Sequence, residues 1–291
     1  MKRIILFFLI SFCFKMCFGQ QEYEYVGFIK LNDSSLISLT VKLQETNGII
    51  NGYTLTDVGG EHETKTSIIG DYNAENKQLR FKEVETIYTK SDVTEDDFCY
   101  VNFTSNSYKL GKSSKLNGDF KGLFPDKTEC INGEILLSTK EKQLKKIEKA
   151  NKFIKKTKRL TDSEKQNIDI AKTMDSIQMN ILRSKQIMSV FAKSKNIRIE
   201  IFDGGQLDGD RVTLKYNGNT VLRDFETTNQ RKSIPLTLVN KKNTFILTAD
   251  NVGTMSTNTA VIEIFVDDSK IRALTNLKAG EQTQIDFYFK N

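Results

Sequence analysis

Short runs of alternating apolar and polar residues, separated by turn sequences, recur along most of this chain. In the first half they predict eight strands, near 24–31, 35–45, 49–57, 65–73, 78–89, 97–104, 115–123 and 130–138. Asn47-Gly48 and Gly59-Gly60 are typical of the tight turns that join adjacent antiparallel strands. We therefore predict an antiparallel meander that curls into a small barrel over residues 20–138.

A loose internal repeat supports the barrel. A glycine followed within two residues by an apolar or aromatic residue recurs, as in Gly52-Tyr53, Gly118-Asp119-Phe120 and Gly133-Glu134-Ile135. In this respect the segment resembles calycin-type barrels, the architecture of avidin and the lipocalins. A barrel of about eight strands is either filled by its own side chains or holds one small ligand. The sequence leaves both alternatives open.

The hydrophobic period changes in residues 139–195, which carry 16 basic and 6 acidic residues. Apolar residues at helical spacing from Leu144 to Ile154 indicate a first helix. Thr161-Asp162-Ser163-Glu164 has the form of a capping box, and the apolar residues from Ile170 to Phe191 follow at steps of three and four. We predict a helical hairpin or spacer. The alternative is a basic helix that binds a membrane surface or a partner.

Residues 196–291 return to alternating strands. The predicted strands lie near 197–201, 212–216, 219–226, 231–239, 243–250, 259–267, 269–275 and 282–290. Eight short strands in about 95 residues predict a C-terminal antiparallel β-sandwich, so the chain as a whole is expected to be mainly β. The first two of these strands are predicted to form a hairpin around an acidic loop.

The acidic loop holds Asp203, Asp208 and Asp210, which suggests a calcium site. Calcium takes six to eight oxygen ligands, so backbone carbonyls and a second loop must contribute, and we predict Asn258 as a ligand from that loop. The spacing does not fit an EF-hand. The alternative is that the aspartates and glycines only shape the turn. The predicted hairpin places Tyr216 near this loop, as a ligand-binding residue.

Three stretches of the last third carry a resemblance to exported proteins. They are Asp203-Gly204-Gly205 to Asp208-Gly209-Asp210, Tyr216-Asn217-Gly218 and Asn258-Thr259-Ala260. In them the chain resembles the small C-terminal β-sandwich of exported Bacteroidota proteins and, more distantly, calcium-dependent carbohydrate-binding modules. The resemblance implies export, calcium and a glycan ligand. Because the chain has no tryptophan, tyrosines would have to supply the flat surface on which sugars stack.

The N-terminus has the form of a signal peptide covering residues 1–19. A basic start, Met1-Lys2-Arg3, precedes the apolar run Ile4 to Ile10, and cleavage is predicted after Gly19. The alternatives are lipidation at Cys17 or a membrane anchor, for which this run is shorter than the roughly 20 apolar residues of a span. We predict a secreted or periplasmic protein without a transmembrane span after cleavage.

Two cysteines remain after this cleavage, Cys99 and Cys130. In an exported protein an even pair is expected to form a disulfide. A zinc site needs further ligands, and His62 is the one histidine of the sequence. The pair is therefore predicted to have a structural role.

Motifs for catalysis and for nucleic-acid binding are missing from the sequence. The net charge of +6 is concentrated in the signal and in residues 139–195, so no β-rich segment has the basic surface of a nucleic-acid binder. No nucleophile elbow or phosphate loop occurs, and Glu83 and Glu85 are expected on a solvated strand face. We predict a non-enzymatic binding or envelope-associated interaction protein with an extracellular ligand. The alternative is a secreted hydrolase that uses a pocket in the barrel.

Overall fold

The computed structural model describes residues 21–32, 35–157, 179–204, 207–254 and 257–290. The predicted signal segment and the capping box at Thr161 lie outside these ranges. Within them the protein is mainly β, with a barrel followed by two further packed sheets and one α-helix. No helix in this part of the chain is long and apolar enough to cross a bilayer.

Eight antiparallel strands form the barrel, and their positions follow the predicted ones closely. They are β1 (Glu22–Leu31), β2 (Leu36–Thr46), β3 (Ile49–Thr56), β4 (Thr64–Asn73), β5 (Gln78–Thr89), β6 (Tyr100–Ser105), β7 (Lys115–Leu123) and β8 (Glu129–Thr139). Each strand pairs with the next in sequence, and β8 pairs with β1, which closes the barrel. The predicted antiparallel meander is thus confirmed as a closed up-and-down barrel.

One half of the barrel interior is filled by large side chains. Leu43, Ile50, Leu79 and Leu116 are fully buried there, because alternate residues of each strand point inward. Tyr25 closes this half, since its hydroxyl lies 2.5 Å from the hydroxyl of Tyr108. This half therefore has a packed core of its own.

The disulfide between Cys99 and Cys130 connects the start of β6 to β8, as predicted, with the two Cα atoms 6.0 Å apart. Strand β7 lies between them and passes beneath the bridge at Gly122. A Cβ atom at Gly122 would lie 2.5 Å from the Cys99 sulfur, so only glycine fits this close approach. The bridge fixes the strands on both sides of β7.

The helix α1 (Lys140–Lys156) follows β8 directly and confirms the first predicted helix. Its first residue, Lys140, forms an ion pair with Glu24 of β1 at 3.1 Å. After the undescribed stretch 158–178, the chain returns as strands. The helix thus begins on the barrel surface.

Two sheets form a sandwich after the helix, as predicted. Its strands are β9 (Ile181–Arg183), β10 (Ile187–Ala192), β11 (Asn196–Asp203), β12 (Arg211–Tyr216), β13 (Asn219–Glu226), β14 (Lys232–Thr237), β15 (Lys242–Ala249), β16 (Ala260–Val266), β17 (Ser269–Asn276) and β18 (Gln282–Phe289). One sheet has the order β13-β12-β15-β18-β10, and the other β14-β11-β16-β17-β9. Apolar residues of both inner faces form the core between them.

The predicted second helix is wrong for its last part, because residues 181–192 form β9 and β10. Met188, Val190 and Ala192 are fully buried on one face of β10. Their spacing of two residues is that of a strand. Strand β10 runs parallel to β18, and β9 runs parallel to β17. Pairing with distant strands therefore overrides the local spacing of three and four residues.

The predicted hairpin between β11 and β12 is also wrong. Strand β11 pairs with β14 and β16 in one sheet, whereas β12 pairs with β13 and β15 in the other. The acidic segment after Asp203 therefore crosses from sheet to sheet instead of turning back within one. The crossing allows the apolar faces of both strands to meet in the same core, with Ile199 on one side and Leu214 on the other.

A buried ion pair of the barrel lies where the barrel meets the sandwich. The Lys90 ammonium lies 3.7 Å from the Glu63 carboxylate, and both side chains are fully buried. Glu63 also accepts hydrogen bonds from the Tyr88 hydroxyl at 2.8 Å and from the Gly59 amide at 2.6 Å. Lys90 donates to the carbonyl of Ile181 in β9. Burial lowers the pKa of Lys90, and Glu63 opposes that shift.

We expect Glu63→Gln to destabilise the protein by about 3 to 5 kcal/mol, because it leaves the Lys90 charge buried without its partner. Urea unfolding measures the loss. Glu61→Gln, an exposed residue of the same loop, is the matched control and should be nearly neutral. Adding Lys90→Met to Glu63→Gln should recover part of the loss, and a double variant less stable than the single one would contradict this account.

Replacing both disulfide cysteines by alanine should cost about 3 to 4 kcal/mol, because the bridge closes a loop of 31 residues in the unfolded chain. Urea unfolding of the Cys99→Ala/Cys130→Ala variant measures this cost. Intact mass should rise by two hydrogens on reduction. Two free thiols in the unreduced protein would show that the bridge does not form.

Candidate functional site

The acidic segment lies at one end of the sandwich, where the chain crosses between the sheets. Asp203 is the last residue of β11, and Asp210 immediately precedes β12. The loop after β15 packs against this segment, because Asn251 Nδ2 donates to the carbonyl of Gly209 and the Thr254 amide donates to the carbonyl of Asp208. The two loops predicted to share a site are therefore in contact.

Asp210 is fully buried at this position. One carboxylate oxygen, Oδ2, accepts a hydrogen bond from the Thr259 amide at 2.8 Å. The backbone carbonyl of Asp210 accepts a hydrogen bond from the Thr227 amide, so both the side chain and the backbone of Asp210 are held by hydrogen bonds. The other carboxylate oxygen, Oδ1, is buried without a hydrogen-bond partner.

Asn258 is fully buried beside Asp210 and shows the same arrangement. Its Nδ2 donates to the carbonyls of Arg211 at 3.1 Å and Asn251 at 3.2 Å. Both of these neighbours are carbonyl oxygens, which only accept hydrogen bonds. The Asn258 amide is therefore oriented with its nitrogen toward them and its oxygen away from them. Its Oδ1 is also buried without a hydrogen-bond partner. Two fully buried residues thus each leave one oxygen unsatisfied at this end of the sandwich.

The three carboxylates act on one another electrostatically. Burial raises the pKa of Asp210, and the negative charges of Asp208 and Asp203 raise it further. Asp203 is buried, and its register partner on β16 is Ala260, two residues after Asn258. The structure therefore places the four residues predicted for the calcium site at the same end of the sandwich.

The donor set is one that a hard cation prefers. Carboxylate and amide oxygens suit calcium, which needs neither nitrogen nor sulfur ligands. Within the described ranges, no three Asp, Glu, His or Cys side chains form a group that could hold a metal ion by themselves. A cation here would therefore need the Asn258 amide oxygen and backbone carbonyls in addition to the carboxylates. Unsatisfied buried oxygens are costly, and a cation would satisfy them.

Tyr216 lies at the far end of β12 from the acidic loop, about 20 Å away at strand rise. The prediction that Tyr216 lies near the acidic loop was wrong, because it assumed a hairpin between β11 and β12 that does not form. The Tyr216 hydroxyl donates to the carbonyl of Thr237 at 2.7 Å, and the ring packs against the sandwich core. Its contacts are those of a residue that closes the opposite end of the sandwich.

A second polar site lies in the half of the barrel that large side chains do not fill. A cavity of about 570 Å³ opens there, bordered by residues of several barrel strands, by His62 and by the Cys99 side of the disulfide. Glu83 lines it and is buried, so the expectation of a solvated Glu83 was wrong. Glu85 points outward and pairs with Lys193 at 2.6 Å. Side chains alternate between the two faces of β5, so Glu83 lies on the same buried face as Leu79 and Phe81. The burial of Glu83 could have been predicted from this alternation in the sequence.

Comparisons with protein-family models, with curated proteins and with solved structures find no match to this chain.

Without calcium, we expect the contribution of Asp210 to the free energy of unfolding to fall as pH rises above 3.8, the ordinary pKa of an aspartate. The raised pKa of Asp210 means that the unfolded state loses this proton first, so ionisation favours unfolding. Urea unfolding in chelator at several pH values measures the effect. Asp210→Asn should reduce the fall, whereas Asp268→Asn, at the far end of β16, should not. An identical pH dependence in wild type and Asp210→Asn would contradict this assignment.

Proposed function

We propose that this protein is an exported, non-enzymatic binding or envelope-associated interaction protein whose sandwich is closed at one end by a calcium ion. The observation that carries the calcium site is the pair of buried, unsatisfied oxygens on Asp210 and Asn258. Asp203 and Asp208 add negative charge beside them. A divalent cation would neutralise this charge and hold the two loops together.

Two features support export. The N-terminal sequence has the basic and apolar regions of a secretory signal. The disulfide between Cys99 and Cys130 is of a kind that persists in oxidising compartments and is rare in the cytosol. Both favour a secreted or periplasmic location for the mature chain.

The calcium proposal is tested by thermal unfolding of the whole chain in calcium and in chelator. At a hundredfold excess over its Kd, calcium should add about 2.7 kcal/mol, which is roughly 5 to 10 °C in Tm for a protein of this size. Residues 196–291 alone are unsuitable, because β9 and β10 belong to the two sheets of the sandwich.

Matched variants separate a specific site from general binding of cations. Asp210→Asn should remove most of the calcium-dependent shift, whereas Asp268→Asn should keep it. Both substitutions replace one carboxylate by an amide, and they differ in their end of the sandwich. Coincident melting curves in calcium and chelator would mean that the aspartates only shape the loops.

A glycan is the ligand class that we propose for the calcium-closed end. The exposed loop residues Leu207 and Gly204 border it, so a ligand could reach the ion from solvent. A glycan array probed with the whole chain in calcium and in chelator tests this proposal. Retention that is lost both in chelator and in Asp210→Asn would support it, and retention unaffected by chelator would refute a role for the ion.

A secreted hydrolase is the second candidate function, favoured by one observation. Glu83, His62 and Asp57 border the same cavity in the barrel, so a carboxyl group and an imidazole meet one pocket. Chromogenic ester and glycoside substrates test this candidate. Turnover that disappears in Glu83→Gln would support it.

A further inference from the structure

The open half of the barrel has the size and lining of a small-molecule site. Its volume of about 570 Å³ lies within the range of about 300 to 1,000 Å³ that is usual for ligand pockets. The walls are mostly apolar and include Ile29, Ile37, Val101 and Phe120. At the rim, Leu36 and Ile131 are exposed to solvent. An apolar molecule would thus meet apolar side chains from the mouth inward.

Glu83 is the one buried carboxylate among the residues that line this cavity. Thr54 donates its hydroxyl to Oε1, and the Val101 amide donates to Oε2 at 2.7 Å. A carboxylate has about four acceptor positions, so further positions remain. Burial raises the pKa of Glu83, and within the described part of the chain no cationic side chain acts against this shift.

Part of the role of Glu83 is structural. The pairing of β5 with β6 ends at Lys82 and Asn102, and the Glu83 side chain takes over as acceptor for the next amide of β6, that of Val101. A glutamine or a threonine could also accept that bond without placing an acid in an apolar cavity. A buried carboxylate usually has a cationic partner, and here a ligand could supply it.

We propose that the open half of the barrel binds a small, mainly apolar amine whose ammonium group pairs with Glu83. The apolar walls would bury the body of the molecule, and the carboxylate would bind its charged end. An ammonium ion beside Glu83 would favour the ionised carboxylate and so offset the cost of its burial. The proposal is independent of the calcium site, because every residue that carries it lies in the barrel.

The test compares three probes of the same shape on the whole chain at neutral pH by isothermal titration calorimetry. They are 4-phenylbutylamine, 4-phenylbutanol and 4-phenylbutyrate. We expect the amine to bind about tenfold more tightly than the alcohol, because its ammonium group adds a Coulombic attraction to the Glu83 carboxylate that the neutral hydroxyl lacks. The carboxylate should bind most weakly, because Glu83 repels it.

Glu83→Gln should remove the preference for the amine, and continued binding of the alcohol would show that the cavity is intact. Equal affinities for amine and alcohol in the wild type, or an amine preference that persists in Glu83→Gln, would overturn the proposal.

Two tryptophan variants keep the proposal testable should Glu83→Gln fail to fold. Ile131 lies at the cavity mouth and is 39% exposed, so Ile131→Trp should block the cavity and abolish binding of the amine. Ile69 is 44% exposed on the outer face of β4, and Ile69→Trp should bind as the wild type does. The chain has no other tryptophan, so fluorescence reports each site directly. Unchanged amine binding in Ile131→Trp would place the ligand elsewhere and overturn the proposal.

Discussion

The ion pair between Glu63 and Lys90 is buried at the junction of barrel and sandwich, and its polar atoms are satisfied by groups from both units. A charged pair removed from water is stable only where its remaining polar atoms are satisfied, and here they are satisfied from both sides of the junction. Tyr88 and Gly59 bond Glu63 from the barrel, while Lys90 reaches the carbonyl of Ile181 in the sandwich. Both charges lie in the barrel, so moving the two units apart would leave them paired, but it would break the hydrogen bond from Lys90 to Ile181 and admit water to the pair.

Strand β5 contributes residues to both units. Its middle contributes Glu83 to the barrel cavity, whereas its end contributes Tyr88 to the sandwich core. Two residues of this end, Tyr88 and Thr89, pair with β10, so the barrel wall continues directly into one sheet of the sandwich. The junction is therefore a shared strand rather than a flexible linker, and the buried pair lies immediately after it.

The strands could be predicted from the sequence because alternation is a local property, and every predicted strand of the barrel is present. The strand partners of the barrel could be predicted too, because each strand pairs with its neighbour in sequence. The partners in the sandwich could not, since pairing there depends on which apolar faces meet across the core. This is why β11 and β12, with a turn-rich segment between them, lie in different sheets. The acidic residues of the crossing segment and Asn258 were predicted from the sequence to lie near one another, and they lie at one end of the sandwich. The unsatisfied oxygens of Asp210 and Asn258 could not be predicted, because they depend on the crossing between sheets.

Both candidate sites arise where the fold leaves a buried acid without a positive partner. Asp210 is held by the crossing segment and Glu83 by the end of the β5 and β6 ladder, so in each case backbone hydrogen bonds hold the carboxylate in place. The two sites differ in the groups that surround the carboxylate, and so in the kind of cation that each could bind. At Asp210 further oxygens converge, which favours a bare metal cation, whereas at Glu83 the apolar walls favour a cation attached to an apolar body. Under the two proposals, the same electrostatic deficit would therefore be met by two different ligands, according to the side chains around it.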